Sequence, residues 1–379
     1  MGYLKMNTGY LSSFKKVHPN HEIAQKDCHQ WIAHAHSSFE ARLKDLSKEE
    51  EMQLHAQIQE KILSFGLGPD KISQRGIQMP DIWQEDIETR THFSVSSLIK
   101  GLGLSKKMEF FNTEGLEIFK KIYAARDLPP HIVHVSCTGY VAPSPAQRIV
   151  SELEAKDTVV THSYHMGCYG AFPAIRIALG SEMHSDVVHT EFCTLHMNPA
   201  NHSKEQLLIE SLFADGFIKY TVSREYPKIP SLQTLSLKEV IIPGSMDSMQ
   251  WICQDWGFGM KLSRDVPAKI AKYLIEYLTQ LASLANIDYP YLLRNSLFAI
   301  HPGGPKIIQQ IQERLGLDDM QIRHTKKVLF SYGNMSSATL PHVWQEILND
   351  PSVKEGALMV SMAFGPGLTI SGGIFQKKG

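Results

Sequence analysis

The sequence predicts an α/β layered fold, and three features of the 379-residue chain support that prediction. Short segments rich in β-branched residues alternate with segments of helical spacing along the whole chain. Hydrophobic residues make up 43% of the chain and charged residues 20%, so a large core can form. The most reactive side chains follow directly after predicted strands, which is where layered α/β folds carry their sites.

The first part of the chain is predicted to begin with helices. Apolar residues at helical spacing and frequent Glu and Lys predict a helix over 21–60. A second helix is predicted over 113–126, with Thr113 as its N-cap. The following elements are predicted as strands at 131–137, 158–166, 187–197 and 216–223, with helices at 170–180 and 203–216, the last capped by Ser203.

The second part of the chain continues the alternation. The segment 232–242 is predicted to pair with 216–223, and 267–286 is predicted to form a long amphipathic helix. The remaining elements are predicted as a strand at 297–301, helices at 304–315, 319–330 and 337–349, and strands at 357–364 and 368–375.

The charge and cysteine patterns narrow the function classes. The formal net charge is −1, from 38 basic and 39 acidic residues, and like charges form no block, which argues against nucleic acid or an anionic membrane as partner. No apolar run reaches the length of about 18 residues that a membrane span needs. The five cysteines are widely spaced and odd in number, so we expect no disulfide framework and a reducing cytoplasm.

Cys168 is the first candidate for chemistry. It stands in H-M-G-C-Y-G, where a predicted strand turns into a predicted helix between Gly167 and Gly170. Free N–H groups and the dipole at a helix N-terminus lower a thiol pKa, and the same N–H groups can hold an oxyanion. A buried cysteine without a reactive role is the common alternative.

His301 and Asn334 are the second and third candidates. His301 ends an apolar strand and is followed by Pro-Gly-Gly, so its ring is expected to project beyond the sheet edge. Asn334 lies in a loop before a predicted helix, in S-Y-G-N-M-S-S-A-T. Each signal alone is weak, since a structural His and a turn Asn are common.

Together these stretches resemble the type III polyketide synthases, the chalcone-synthase-like branch of the thiolase-fold condensing enzymes. The resemblance runs from about residue 10 to the end, and the loops H-P-G-G-P and F-G-P-G are specific to this branch. The matching stretches, in family order, are H-M-G-C-Y-G at 165–170, L-F-A-D-G at 212–216, D-V-P at 265–267, H-P-G-G-P at 301–305, Y-G-N-M-S-S at 332–337 and A-F-G-P-G at 363–367.

The resemblance implies a five-layered αβαβα thiolase-like fold with two pseudo-duplicated halves, 1–225 and 226–379. It implies a homodimer that extends an acyl-CoA starter with malonyl-CoA and needs no cofactor or metal. Cys168 would hold the acyl group, while His301 and Asn334 would bind the thioester carbonyl and promote malonyl decarboxylation. Such a pair of neutral donors stabilises the enolate, and loss of CO2 replaces proton abstraction.

Several further positions take their expected roles from the resemblance. Phe213 matches a gatekeeping aromatic residue, Met260 replaces the second gatekeeper, and Trp251 stands where plant relatives carry Gly. The other expected substrate-binding residues are Cys137, Cys193 and His196, which stand where plant relatives carry Thr, and Ser336; the expected coenzyme A-binding residues are Lys71, Arg75 and Lys306. Ala363 replaces a Gly in the closing motif.

The product is left open by the sequence. The flexible gatekeeper and the resemblance to bacterial members favour a fatty acyl starter and a pyrone or resorcinol product. A β-ketoacyl-carrier-protein synthase III-like enzyme and a non-catalytic binding protein are the alternatives on the same fold. A metal site at His162, His165 and Cys168 is disfavoured because His165 would face away from the other two. A papain-like hydrolase is disfavoured because its local cysteine signature is absent.

Overall fold

The computed structural model describes residues 8–84, 86, 89–94 and 103–379. Thirteen strands and eleven helices alternate within these ranges. The strands are β1 Tyr10–Val17, β2 His21–Ala24, β3 Gln74–Ile77, β4 His131–Ser136, β5 Val159–Tyr164, β6 Ser185–Glu191, β7 Gly216–Ser223, β8 Ser231–Ile241, β9 Met249–Gln254, β10 Gly257–Leu262, β11 Ser296–Ile300, β12 Leu358–Gly365 and β13 Thr369–Lys378.

The helices flank and separate these strands. Short 3-10 turns occur at Pro80–Trp83, Gly167–Tyr169, Cys193–His196 and Ser336–Ala338. The helices are α1 Gln25–Lys44, α2 Lys48–Phe65, α3 Gly103–Ile122, α4 Pro145–Glu152, α5 Ala171–Gly180, α6 Lys204–Leu212, α7 Val266–Leu284, α8 Tyr289–Asn295, α9 Pro305–Leu315, α10 Arg323–Tyr332 and α11 Thr339–Asn349.

Nine strands form one sheet in the order β11-β12-β13-β8-β1-β7-β6-β4-β5. The two ends of this sheet repeat one pattern, in which parallel strands are followed by an antiparallel strand that leads back to the middle. The halves meet where β1 pairs with β8, at Tyr10 opposite Gln233 and Leu11 opposite Leu232. The division predicted at residue 225 lies between β7 and β8 and stays a prediction.

Three apolar cores separate the layers: one lies between α1–α3 and the β4 end of the sheet, one surrounds the central helices α5 and α11 between the two ends of the sheet, and one lies between α7, α9 and the β12 end. Successive strand residues face opposite sides, so Ile132 packs into the core beneath α1–α3 whereas Val133 packs against the central helices α5 and α11. The same alternation in β12 sends Val360 to the core under α7 and α9 and Met359 to the centre. The thiolase-like αβαβα arrangement predicted from the sequence is confirmed.

Some element predictions are wrong in detail. The segment 21–60 is a strand and two helices, because Asp45 adopts a left-handed conformation and Ser47 begins α2 with a capping box to Glu50. Thr113 is not an N-cap, since α3 begins ten residues earlier at Gly103. The strand predicted over 187–197 ends at Glu191.

The structure also contains a hairpin that the sequence did not predict. The hairpin β9–β10 was not predicted, although it forms one wall of the cavity described below. Across the described residues, no helix combines the length and the apolar character that crossing a bilayer requires.

Candidate active site

The Cys168 turn depends on a glycine and on a loop from the other half of the chain. Gly167 adopts a φ of 65°, which favours glycine, and a Cβ atom there would lie 2.7 Å from Cδ of Pro366. The neighbouring Gly365 approaches so closely that its Cβ would lie 2.2 Å from the Tyr169 ring. The A-F-G-P-G segment, in which β12 ends, therefore packs directly against the turn that presents the cysteine.

The resting charge of Cys168 differs from the sequence-based expectation. Burial raises the pKa of the thiol to about 12, although hydrogen bonds with Ser336 and Asn334 oppose that rise. This rise is opposite in direction to the lowering that the sequence predicts for a thiol at a helix N-terminus. Cys168 is a thiol until a partner accepts its proton.

Asn334 is oriented by its own backbone turn. Its Oδ1 accepts from the Ser336 N–H at 2.9 Å and from Thr339 Oγ1 at 3.4 Å, so the amide NH2 is the group left to face Cys168. A short bridge pairs Asn334 with Phe213 at the end of α6. The predicted nucleophile, the predicted amide donor and the predicted gatekeeper are therefore brought together.

His301 lies at the carboxyl end of β11. Its backbone N–H donates to the carbonyl of Met362 in the adjacent strand β12, which ends one residue before Pro366. The imidazole is 1% exposed, and neither ring nitrogen has a hydrogen-bond partner among the described residues. Burial lowers the pKa of His301 to about 3, so the ring is neutral and has one N–H to donate.

Ser336 links the nucleophile to a buried carboxyl group. Its Oγ lies 3.9 Å from Sγ of Cys168 and 2.9 Å from Sγ of Cys137. Glu191 accepts from the Cys137 N–H at 3.0 Å and from the Thr138 hydroxyl at 2.9 Å. Burial raises the pKa of Glu191 to about 7. The carboxyl therefore titrates near neutral pH behind the reactive thiol.

The Cys168 thiol lines a cavity that is partly open to solvent, with about 690 Å³ of empty space when the solvent at its mouth is included. All seven predicted substrate-binding residues line it, and their contact with a substrate stays a prediction: Phe213, Met260, Cys137, Cys193, His196, Trp251 and Ser336. Met260 and Trp251 are cross-strand partners in the β9–β10 hairpin, so one small element presents both. Met249 and Phe258 of the same hairpin make this wall mostly apolar.

His196 is a fixed part of the cavity wall. Its Nε2 donates to the Thr138 carbonyl at 2.7 Å and its Nδ1 accepts from the Phe258 N–H at 3.0 Å. The ring stacks on Phe258 at 4.5 Å between centroids, and burial lowers its pKa to about 3. Trp251 is held beside it, since its indole N–H donates to the Cys137 carbonyl at 2.6 Å. His196 therefore shapes the cavity and has no free nitrogen for proton transfer.

One face of α6 forms a wall that sequence analysis missed. Gln206, Ile209, Glu210 and Phe213 follow helical spacing and all line the cavity. That spacing was the signal available in the sequence, but only Phe213 was assigned a role there. The other missed residues of the lining are Thr138, Thr194, Met197, Met249, Trp256, Phe258 and Pro366.

The predicted basic residues separate into two groups. Arg75 is 1% exposed and donates to Gln25, to the sulfur of Cys28 and to the carbonyl groups of Glu210 and Phe213. The prediction that Arg75 binds coenzyme A phosphates is therefore wrong, because the guanidinium is enclosed and holds the end of α6. The remaining two residues, Lys71 and Lys306, are exposed, and their role stays a prediction.

The metal-ligand alternative finds no support. His162 accepts or donates a hydrogen bond with Ser144 at 2.8 Å, away from the Cys168 turn. In the ranges that the structure describes, no three His, Cys, Asp or Glu side chains form a group suited to a metal ion. The geometry instead places the Cys168 thiol in the cavity wall and in contact with the Asn334 amide, and a neutral His301 imidazole at the end of β11. Asn334 and His301 are not among the described residues that line the cavity. Such groups serve acyl transfer through a covalent thioester.

Comparison with known proteins agrees with this chemistry. A family model described as "Chalcone and stilbene synthases, C-terminal domain" matches residues 233–377. "Type III polyketide synthase A" of Arabidopsis thaliana is 26% identical over 255 residues, which cover 64% of each chain. "Putative chalcone synthase" of Bacillus subtilis (strain 168) is 29% identical over 255 residues, covering 63% of this chain and 68% of that one. "Probable polyketide synthase 1" of Dictyostelium discoideum is 28% identical over 256 residues, which are 64% of this chain but only 8% of that protein.

Solved structures share the fold over nearly the whole chain. The C-terminal type III polyketide synthase domain of Steely1, a type I/III hybrid from Dictyostelium, has a TM-score of 0.79 at 21% identity, covering 98% of this chain and 99% of that one. PKS-I from the brown alga Ectocarpus siliculosus has a TM-score of 0.78 at 17% identity, with 98% and 99% covered.

Proposed function

We propose that this chain, a relative of the type III polyketide synthases, condenses malonyl-CoA repeatedly onto an acyl-CoA starter with loss of CO2. The observation that carries the proposal is the Cys168 thiol, which lines an apolar cavity and is hydrogen-bonded to the Asn334 amide. In this reaction Cys168 attacks the starter thioester and stores the acyl group. No metal or organic cofactor takes part.

His301 and Asn334 are proposed to act on the malonyl group. A neutral imidazole and an amide both donate to the thioester oxygen, so they stabilise the enolate that decarboxylation leaves. The low pKa of His301 suits this role, because a neutral ring keeps its N–H without the solvation that a buried cation needs. The enolate carbon then attacks the Cys168 thioester.

We further propose a fatty acyl starter and a pyrone or resorcinol product. The cavity wall of Ile209, Phe213, Met249, Met260 and Phe258 suits an alkyl chain better than a polar one. As in the family in general, the chain would act as a homodimer. A cytoplasmic location accords with the five cysteines, which are all free.

The test is incubation with labelled malonyl-CoA and a panel of acyl-CoA starters, with products followed by mass spectrometry. Cys168→Ala should abolish polyketide formation, whereas Cys253→Ala is the matched control because that thiol is exposed and outside the cavity. Fatty acyl starters should be preferred over small aromatic ones. A wild-type protein that accepts only carrier-protein thioesters would instead support the β-ketoacyl synthase alternative, and one that makes no product would support a binding role.

A further inference from the structure

Four titratable side chains form a hydrogen-bonded series from the cavity wall to the protein surface. Oε2 of Glu210 lies 2.6 Å from Nε2 of His36, and Nδ1 of His36 lies 2.9 Å from Nδ1 of His202. Nε2 of His202 lies 3.4 Å from Oε2 of Glu40. The side chains of His36 and Glu210 are 1% exposed, and those of His202 and Glu40 are 21% and 15% exposed. The series therefore joins the cavity to solvent.

The contact between the two Nδ1 atoms requires a shared proton. Two imidazole nitrogens at hydrogen-bond distance cannot both be donors or both be acceptors, so one proton lies between His36 and His202. Glu210 accepts at the far side of the His36 ring, because it faces Nε2. Each ring thus has a partner on both nitrogens, which is the arrangement in which imidazole passes protons.

Neighbouring groups hold the series in place. Oε1 of Glu210 accepts from the Asn198 N–H and from Gln206 Nε2, both at 2.8 Å. Burial alone would raise the pKa of Glu210, but His36 and these donors lower it; burial lowers the pKa of His202. The charged groups that face the series from the elements around it are Lys107 of α3, Arg75 of β3, Lys61 of α2 and Lys44 of α1.

The proposed reaction consumes one proton inside the cavity in each extension. In each extension, the C–CO2 bond of malonyl-CoA breaks, a C–C bond forms to the acyl group, and the C–S bond to Cys168 breaks. The carboxylate charge is then left on the Cys168 sulfur. Since burial raises the pKa of this thiol, the freed thiolate takes up a proton inside the cavity. Starter loading differs from extension in its proton balance. The proton of the Cys168 thiol leaves on the coenzyme A sulfur, so loading takes up no proton from solvent.

We propose that Glu40, His202, His36 and Glu210 are a proton relay that supplies the cavity once in every extension. The inference rests on the proposed function and assigns its proton source. Glu210 belongs to the face of α6 that lines the same cavity as Cys168. His36 and His202 act through Glu210, and Glu40 receives protons from solvent.

One proton passes along the relay in two coupled transfers. The Nδ1 proton of protonated His202 moves to Nδ1 of His36, while the Nε2 proton of His36 moves to Oε2 of Glu210. His202 and His36 are then neutral, and Glu210 is a carboxylic acid that releases its proton to the cavity and the Cys168 sulfur. Reorientation of both rings then returns an N–H of His36 towards Glu210 and a bare nitrogen of His202 towards Glu40, which passes on the next proton from solvent.

The test compares two steps of the reaction in His202→Gln and His36→Gln. Extension is measured as steady-state polyketide formation, and loading as single-turnover transfer of the starter to Cys168. We expect extension to slow by about tenfold or more, loading to keep the wild-type rate, and added imidazole to restore extension in His202→Gln. His184→Gln is the control, because this exposed histidine is outside the series. His202→Gln is the main variant, since its site is partly exposed and tolerates substitution better than that of His36.

Each outcome separates the relay from the function on which it rests. Wild-type extension rates in both histidine variants would overturn the relay and leave the proposed function standing. Equal loss of loading and extension without rescue by imidazole would also overturn it, because it would indicate a structural role. A wild-type protein that makes no polyketide would overturn the proposed function and the relay together.

Discussion

Substituting Gly167 with Ala tests whether the turn before Cys168 depends on its backbone conformation. At a φ of 65°, an alanine costs roughly 1–2 kcal/mol relative to glycine. The new Cβ would also lie 2.7 Å from Cδ of Pro366, so the turn or the loop after β12 must shift. With an unfolding entropy of roughly 2.1 cal/mol/K per residue over 379 residues, a loss of about 2 kcal/mol lowers the Tm by about 2–3 °C.

The effect on activity should exceed the effect on stability. Displacing the Cys168 sulfur by about 1 Å can cost roughly 100-fold in rate, so starter loading should fall by about that factor. Loading is measured as the burst of free coenzyme A from an acyl-CoA starter, and stability by thermal unfolding. Pro366→Ala in the Gly167→Ala background removes the close contact but not the strained φ, so it separates the two costs.

Gly180→Ala is the matched control for this substitution. Gly180 ends α5, the same helix that follows Cys168, and a Cβ there meets no atom within 4 Å. This variant should load normally and have an unchanged or slightly higher Tm, since alanine favours helix. Wild-type loading and Tm in Gly167→Ala would refute the reasoning, because the turn would then accept an L side chain without strain.

Three further predictions follow from the charges and packing of the site. Burial raises the pKa of Cys168 to about 12 and lowers that of His301 to about 3, so Cys168 is a neutral thiol near neutral pH. The rate of its alkylation by iodoacetamide should therefore rise about tenfold per pH unit above neutrality. A rate that stays constant with pH would instead indicate a thiolate–imidazolium pair. Trp251→Gly should enlarge the cavity and shift mass-spectrometric product profiles to longer polyketides, whereas Trp251→Phe should change them little. Glu191 has a pKa raised from 4.5 to about 7, so the folded state keeps a proton that the unfolded state loses, and stability should fall as pH rises through this range. Glu191→Gln should flatten that fall in Tm, and an unchanged slope would assign the pH dependence to other groups.

The alternation of strands and helices was predictable because it is local. Period-two and helical spacing predicted most strands and helices, whereas the break at Asp45 was missed even though the Ser47–Glu50 capping box is visible in the sequence. The β9–β10 hairpin was missed for a different reason. Its strand β9 has mostly exposed or half-buried side chains, so it lacks the alternation that identifies a half-buried strand.

The candidate site was predictable by residue type but not by electrostatics. Motifs pointed to Cys168, His301 and Asn334, and the substrate-binding positions inferred with them line one cavity. The charge state of Cys168 was predicted in the wrong direction, because burial depends on the packing of distant segments and is invisible in a local pattern. Arg75 was assigned to coenzyme A for the same reason, since its enclosure by Gln25 and α6 involves residues far apart in sequence.

The close packing of Gly167 against Pro366 limits how this fold can be recombined. The nucleophile turn is in the first half of the chain, while the loop that packs against it and the Asn334 amide are in the second. A chimera that takes its halves from two relatives inherits these contacting pairs from different parents. Gly167 and Pro366 must therefore be exchanged together, whatever crossover point is chosen for the remainder of the sheet, whereas the bridge between Phe213 and Asn334 is formed by backbone groups that any pair of parents supplies.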